Sequence, residues 1–194
     1  MGLNRAYLQS GRTSESDECL TPRYGVLPMV KYLKACGFKK IWCPFDDSNS
    51  FYVRVLRSHG FIVHNTSLFN GYDFLTYQPR FFDFDVIVSN PPFSIKDEVL
   101  QRCYSFGKPF AVLLPQNSLQ GVTRVDMFLK YGMEYLGFDK RICFYTNGNY
   151  ASWSAGNHFA SGYFCHNILP DKMIFEKLLP VSYTHLTLPT ICSV

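Results

Sequence analysis

Asp85-Val86-Ile87-Val88-Ser89-Asn90-Pro91-Pro92-Phe93 sets a short apolar run directly against a polar residue, two prolines and an aromatic ring. The run reads as a buried strand, and the prolines end it, because each fixes φ and removes a backbone donor. With no N–H of the prolines nearby, the carbonyls of Asn90 and Pro91 can accept a hydrogen bond from an outside amino group. Asn90 adds a side-chain acceptor, and Phe93 offers a flat apolar face on which a base could stack, a contact worth about 1–3 kcal/mol. A strand closed by Pro-Pro is also an ordinary way to stop a sheet and turn the chain. The flanks weigh against that simpler reading, since the pattern predicts a helix over Ile95–Phe106 and a further apolar strand over Phe110–Leu114.

Working outward from this turn, strands and helices alternate. Thr21-Pro22 reads as the cap and first position of a helix running to about Cys36, with Gly37 ending it. A strand over Lys40–Phe45, a turn over Asp46–Ser50, a helix over Phe51–Ser58 and a strand over Phe61–Asn65 then make one βαβ unit. This order predicts an α/β domain with a mostly parallel sheet, whose ligands sit at the carboxyl ends of the strands. Asp46, Asp73 and Asn90 all fall at or beyond such ends, on one rim. Later in the chain, Met133–Phe138 and Ser161–Cys165 read as strands of a C-terminal antiparallel hairpin, separated by a polar, aromatic-bearing stretch from Tyr145 to Asn157.

At 194 residues with 47% hydrophobic and 17% aromatic content, the chain is expected to form one domain with a substantial core. Residues 1–16 are polar and aperiodic and read as a flexible leader, with the domain over 17–180. Val181 to Thr190 matches one reading frame of a transposon-based sequencing adapter, and Ile191-Cys192-Ser193-Val194 ends as such a frame does. Residues 181–194 are therefore expected to be an assembly artefact, set apart from fold reasoning. A net charge of +4, spread along the chain, permits a polyanionic partner without demanding one. Seven cysteines with no Cys-x-x-Cys pair and no signal-peptide pattern point to reduced thiols in a cytoplasmic protein and to no metal site. The apolar runs are too short to span a membrane, and Ala6 stands where myristoylation would want Ser or Thr.

Taken with Thr21-Pro22 and with Cys43-Pro44-Phe45-Asp46-Asp47-Ser48-Asn49-Ser50, the Asn-Pro-Pro-Phe turn resembles motifs of the adenine-specific (N6) DNA methyltransferases of phages and mobile elements. The resemblance implies a Rossmann-like class I methyltransferase fold with S-adenosylmethionine as cofactor. It implies catalytic roles for Asn90, Pro91, Pro92 and Phe93, and cofactor contacts from Thr21, Pro22, Pro44, Phe45, Asp46, Asp47, Thr66 and Asp73. The loop departs from the family in lacking glycines, for which Asn49 could substitute in the left-handed conformation. Asp46 and Asp47 either face the cofactor's ammonium or sulfonium while Ser48 or Ser50 caps the next helix, or simply cap that helix themselves, with Asp46 the favoured contact. The family's acidic ribose ligand is replaced by His64-Asn65-Thr66-Ser67, where Thr66 or Asn65 could bond more weakly. Asp73 either meets the cofactor's adenine amino group or makes an Asx turn.

The expected reaction is methyl transfer to the exocyclic N6 amine of adenine in DNA, with the target turned out of the duplex onto Phe93. Asn117, Lys140 and Arg141 are candidate substrate contacts, and a protein partner could supply target recognition. Two alternatives stay open: methylation of RNA bases or of a protein glutamine, and an inactive nucleic-acid or protein binding module.

Overall fold

The structure, a computed structural model, describes residues 19–146 and 159–179. The leader, residues 181–194 and most of the polar stretch after Tyr145 lie outside the described residues. The chain runs β1 (Cys19–Leu20), α1 (Arg23–Ala35), β2 (Lys40–Cys43), α2 (Phe51–Ser58), β3 (Ile62–Asn65) and β4 (Val86–Ser89). It continues through α3 (Lys96–Ser105), β5 (Phe110–Pro115), α4 (Val122–Tyr131), β6 (Glu134–Phe138), β7 (Tyr145–Thr146), β8 (Ser161–His166) and β9 (Met173–Glu176). Seven strands form one sheet in the order β3-β2-β4-β5-β8-β6-β9, and β1 pairs with β7 in a separate two-stranded ribbon. Within the large sheet only β8 opposes its neighbours, pairing antiparallel with both β5 and β6. A mostly parallel sheet with helices on both faces and one reversed strand is a Rossmann-like α/β architecture, consistent with the class I methyltransferase fold that the resemblance implies.

Alternation along the central strands divides the core in two. Ile41, Cys43, Val86, Val88, Ala111 and Leu113 point toward α1 and α2. Trp42, Ile87, Phe110, Val112 and Leu114 point to the other face, toward α3 and α4. Strands buried on both faces read as continuous apolar runs, which is why β4 and β5 stand out in the sequence. On the second face Trp42 is ringed by Phe74, Phe82, Phe84 and Phe106 at centroid distances of 5.1–5.6 Å, with Tyr77 next beyond at 6.4 Å. The long connection between β3 and β4 is thereby packed down, although it holds little regular structure.

Several expectations shift in detail. Pro22, in an extended conformation, takes the N-cap position of α1, so Thr21 lies one residue further out than anticipated. The β6–β8 antiparallel pair forms, but β8 is wedged between β5 and β6, and β9 runs parallel to β6. Neither α4 nor β9 was anticipated. In α4 only Met127 is buried while Val122 and Leu129 stand exposed, which blurs the amphipathic period.

Candidate functional site: the rim at the strand carboxyl ends

The chain reverses its direction of travel across the sheet between β2 and β4: β3 adds on one side of β2, and β5 on the far side of β4. Ligands of open α/β sheets bind outside the carboxyl ends at this switch point. The loop Pro44–Ser50 leaves β2 there, and Asn90–Phe93 leaves β4 beside it.

Asp46 joins the two loops. Its carboxylate is almost wholly buried and accepts a 2.5 Å hydrogen bond from Ser89 Oγ, the residue immediately before Asn90. Burial pushes the Asp46 carboxyl up to about 7, with the Ser89 and Ser50 hydroxyls pulling it down and Asp47 raising it further. Pro44 and Phe45 are buried beneath it. Asp47 is more exposed, and its Oδ1 accepts from the Asn49 N–H at 2.7 Å. This Asx turn closes the loop without a left-handed residue, since Asn167 is the only non-glycine with positive φ among the described residues. The suggestion that Asn49 replaces a glycine in that conformation is therefore corrected. Ser50, not an aspartate, caps α2: its Oγ accepts from the Val53 N–H at 3.3 Å.

Thr21 and Pro22 are carried to the same rim by the start of α1. Thr21 packs beside the Tyr52 hydroxyl, the first turn of α2. Tyr52 and Tyr163 share a 2.9 Å hydrogen bond, and Tyr163 donates onward to the Gly25 carbonyl at 2.9 Å. Full burial raises both phenol pKa values, so both hydroxyls stay protonated and serve as donors. This chain ties α1, α2 and β8 together behind Asp46.

On the β3 side, Thr66 is buried, and its Oγ1 accepts from the Trp42 indole at 2.9 Å. Asn65 reaches back to the Asp46 carbonyl at 3.4 Å and accepts from Arg57. Ser67 Oγ is buried with no hydrogen-bond partner among the described residues. Asp73 makes the Asx turn, its Oδ1 accepting from the Leu75 N–H at 3.0 Å. The neighbouring Phe74 packs against Phe45 with tilted rings 4.9 Å apart and so brings the Asp73 turn back against the loop Pro44–Ser50.

At the end of β4, Pro91 and Pro92 are buried, and Asn90 and Phe93 are partly exposed. Phe93 meets Phe144 and Phe159 edge-on at 6.2 and 5.5 Å. The Lys96 ammonium donates to the Phe93 carbonyl at 3.2 Å. Asn117 stands exposed beyond β5, the strand next to β4. Lys140 and Arg141 are exposed at the end of β6, on the same rim but with β5 and β8 between them and Asn90. Ser89, Tyr52, Tyr163, Phe144 and Phe159 were not singled out from the sequence. Only the placement of the last two around an aromatic-bearing loop hinted at a role.

No protein-family model matches the chain, and no curated protein is similar to it in sequence. Among solved structures, the 23S rRNA methyltransferase ErmE is similar over 81% of this chain and 72% of its own, at 10% identity and a TM-score of 0.42. A modification subunit of a putative type I restriction enzyme from Vibrio vulnificus YJ016 matches over 92% of this chain at 14% identity and a TM-score of 0.45, with about half (51%) of that subunit covered. A predicted O-methyltransferase of Agrobacterium tumefaciens matches over 90% of this chain and 85% of its own, at 12% identity and a TM-score of 0.40. Among the described residues no helix is long and apolar enough to cross a membrane, and no cluster of His, Cys, Asp and Glu could hold a metal ion.

Proposed function

We propose that the protein transfers a methyl group from S-adenosylmethionine to the exocyclic N6 amine of adenine in nucleic acid, with DNA the favoured substrate. One observation carries the reading: Asn90-Pro91-Pro92-Phe93 leaves β4 at the switch point, one hydrogen bond away from the buried Asp46 carboxylate of the neighbouring loop. Once ionised, as pH rises through about 7, Asp46 has the charge to face the cofactor's ammonium or sulfonium, and its burial strengthens that attraction relative to water. Thr21, Pro22, Pro44, Phe45, Asp47, Thr66 and Asp73 complete the cofactor side, with the Ser67 hydroxyl, which has no hydrogen-bond partner among the described residues, as a further donor beside Thr66.

The cofactor supplies an electrophilic methyl carbon. The protein's task is to present the amine, whose lone pair is delocalised into the purine ring. Hydrogen bonds from that amine to Asn90 Oδ1 and the Pro91 carbonyl hold its protons and leave the lone pair to point at the methyl group. Phe93 stacks on the extruded base, with Phe144 and Phe159 fixing its ring. Asn117, Lys140 and Arg141 contact the flanking nucleic acid, and a protein partner can extend target recognition. Isothermal titration of S-adenosylmethionine tests the cofactor half. Micromolar affinity that is lost in Asp46→Ala supports the proposal, and absence of binding by folded protein overturns it in favour of a binding module.

A further inference from the structure

Arg124 lies on α4, away from the motifs above, yet its guanidinium bridges two parts of the acceptor rim. Nε donates to the Ser118 carbonyl at 2.9 Å, and the terminal nitrogens reach the Gln120 carbonyl and the Asp97 carboxylate. Ser118 and Gln120 belong to the turn that follows β5, and Asp97 lies in the first turn of α3, four residues beyond Phe93. The path of the side chain is built in: Gly121 has a φ of +135°, and a Cβ there would collide with the Arg124 guanidinium. With only 13% of its side chain exposed, Arg124 is placed to hold the turn and not to touch a ligand itself.

The turn sits over the strand adjacent to β4. Ser118 is fully buried inside it, while Gln116 and Asn117 stand exposed at its tip. The Gln116 N–H is itself pinned to the Ala160 carbonyl at 2.7 Å. Two neighbouring primary amides on a rigid turn offer the paired donor and acceptor that reads the edge of a base.

We propose that Arg124 is a positioning residue that clamps the turn after β5 to the start of α3, so that Gln116 and Asn117 form a base-reading wall beside the Asn-Pro-Pro-Phe pocket. The proposal rests on the nucleic-acid methyltransferase reading for its ligand class. The clamp sets the distance between the wall and Phe93, and therefore which base beside the target adenine is accepted.

The test is a double-mutant cycle of Arg124→Ala and Asn117→Ala in the full chain, read by fluorescence anisotropy of an adenine-containing oligonucleotide. Methyl transfer and cofactor titration are measured on the same samples. If Arg124 acts through Asn117, each single variant weakens oligonucleotide binding about tenfold and the double variant is weaker than either single by no more than about twofold. Cofactor affinity stays unchanged, and Arg124→Lys, which can keep the Asp97 ion pair, recovers part of the loss. Asp97→Asn opens one arm of the clamp and serves if Arg124→Ala lowers the Tm. Effects that multiply, or an Arg124→Ala protein with unaltered oligonucleotide affinity, overturn the clamp. Wild-type protein that binds both ligands yet transfers no methyl group overturns the functional reading and leaves the binding cycle to decide the clamp. Failure to bind any oligonucleotide overturns both.

Discussion

Replacing Asp46 with Asn should make the protein more stable and a poorer binder of its cofactor. The native carboxyl is raised from 3.8 to about 7, chiefly by burial. The native state therefore holds a proton that the unfolded chain releases across that window, and its stability falls as pH rises through it. At about 1.4 kcal/mol per pK unit, the buried charge costs roughly 4 kcal/mol once the pH exceeds both values. Asn is isosteric, and its amide oxygen can still accept from Ser89 Oγ, so the variant escapes the charge while keeping the bond. The stability gap between Asp46→Asn and the parent should accordingly widen by about 3 kcal/mol between pH 5 and pH 8. Urea titrations at a series of pH values measure it. A gap that is flat across this range, or a variant less stable at pH 8, refutes the reasoning that Asp46 is a desolvated carboxylate held for function. The same variant should bind S-adenosylmethionine at least about tenfold more weakly at pH 8, a loss of about 1.4 kcal/mol. Parent affinity should rise as pH passes through 7, where Asp46 ionises, and the variant's should not.

Asn90→Ala should leave cofactor titration unchanged and abolish methyl transfer, measured with tritiated cofactor; residual transfer near the parent rate would remove Asn90 from the mechanism. Phe93→Ala should weaken oligonucleotide binding by about 1–3 kcal/mol through lost stacking, checked by anisotropy against cofactor affinity as the control. Tyr163→Phe breaks the link from Tyr52 to the Gly25 carbonyl and should cost about 1–3 kcal/mol in urea denaturation, because it leaves buried groups unsatisfied. Joint replacement of Lys140 and Arg141 by Ala should lower the slope of log affinity against log salt by roughly 1–2 units if both meet phosphates, and leave it unchanged if both are solvated surface charge.

The parts of the fold that could be read directly were those whose residues are buried on both sides or punctuated locally. The bounds of α2 came out as Phe51–Ser58 because Ser50 caps it and Gly60 follows it. β4 and β5 were visible as apolar runs for the same reason that they lie at the centre of the sheet. What could not be read depends on distant partners. α4 buries only one side chain, Met127, and β9 is an edge strand with alternate exposure whose register exists only against β6. The insertion of β8 between β5 and β6 is likewise a matter of pairing at long range, to which no local pattern points. In the site, Asn90 through Phe93 announced themselves by prolines. Ser89 looked like one more strand residue, and its bond to Asp46 appears only when β2 and β4 are laid side by side. Thr66 carried a hydroxyl at the expected place, but its engagement by Trp42 follows from the aromatic cluster on the far face.

The central claim is that this rim presents an adenine amine to a methyl donor, and the most direct measurement is the product itself. Plasmid DNA and total RNA, each lacking the modification, are incubated with S-adenosylmethionine and protein, digested to nucleosides and resolved by mass spectrometry. The account predicts N6-methyladenosine, as the deoxynucleoside from DNA, that is absent with Asn90→Ala. Protein that binds the cofactor but yields no methylated adenine, or that places the methyl group on another base, would contradict it.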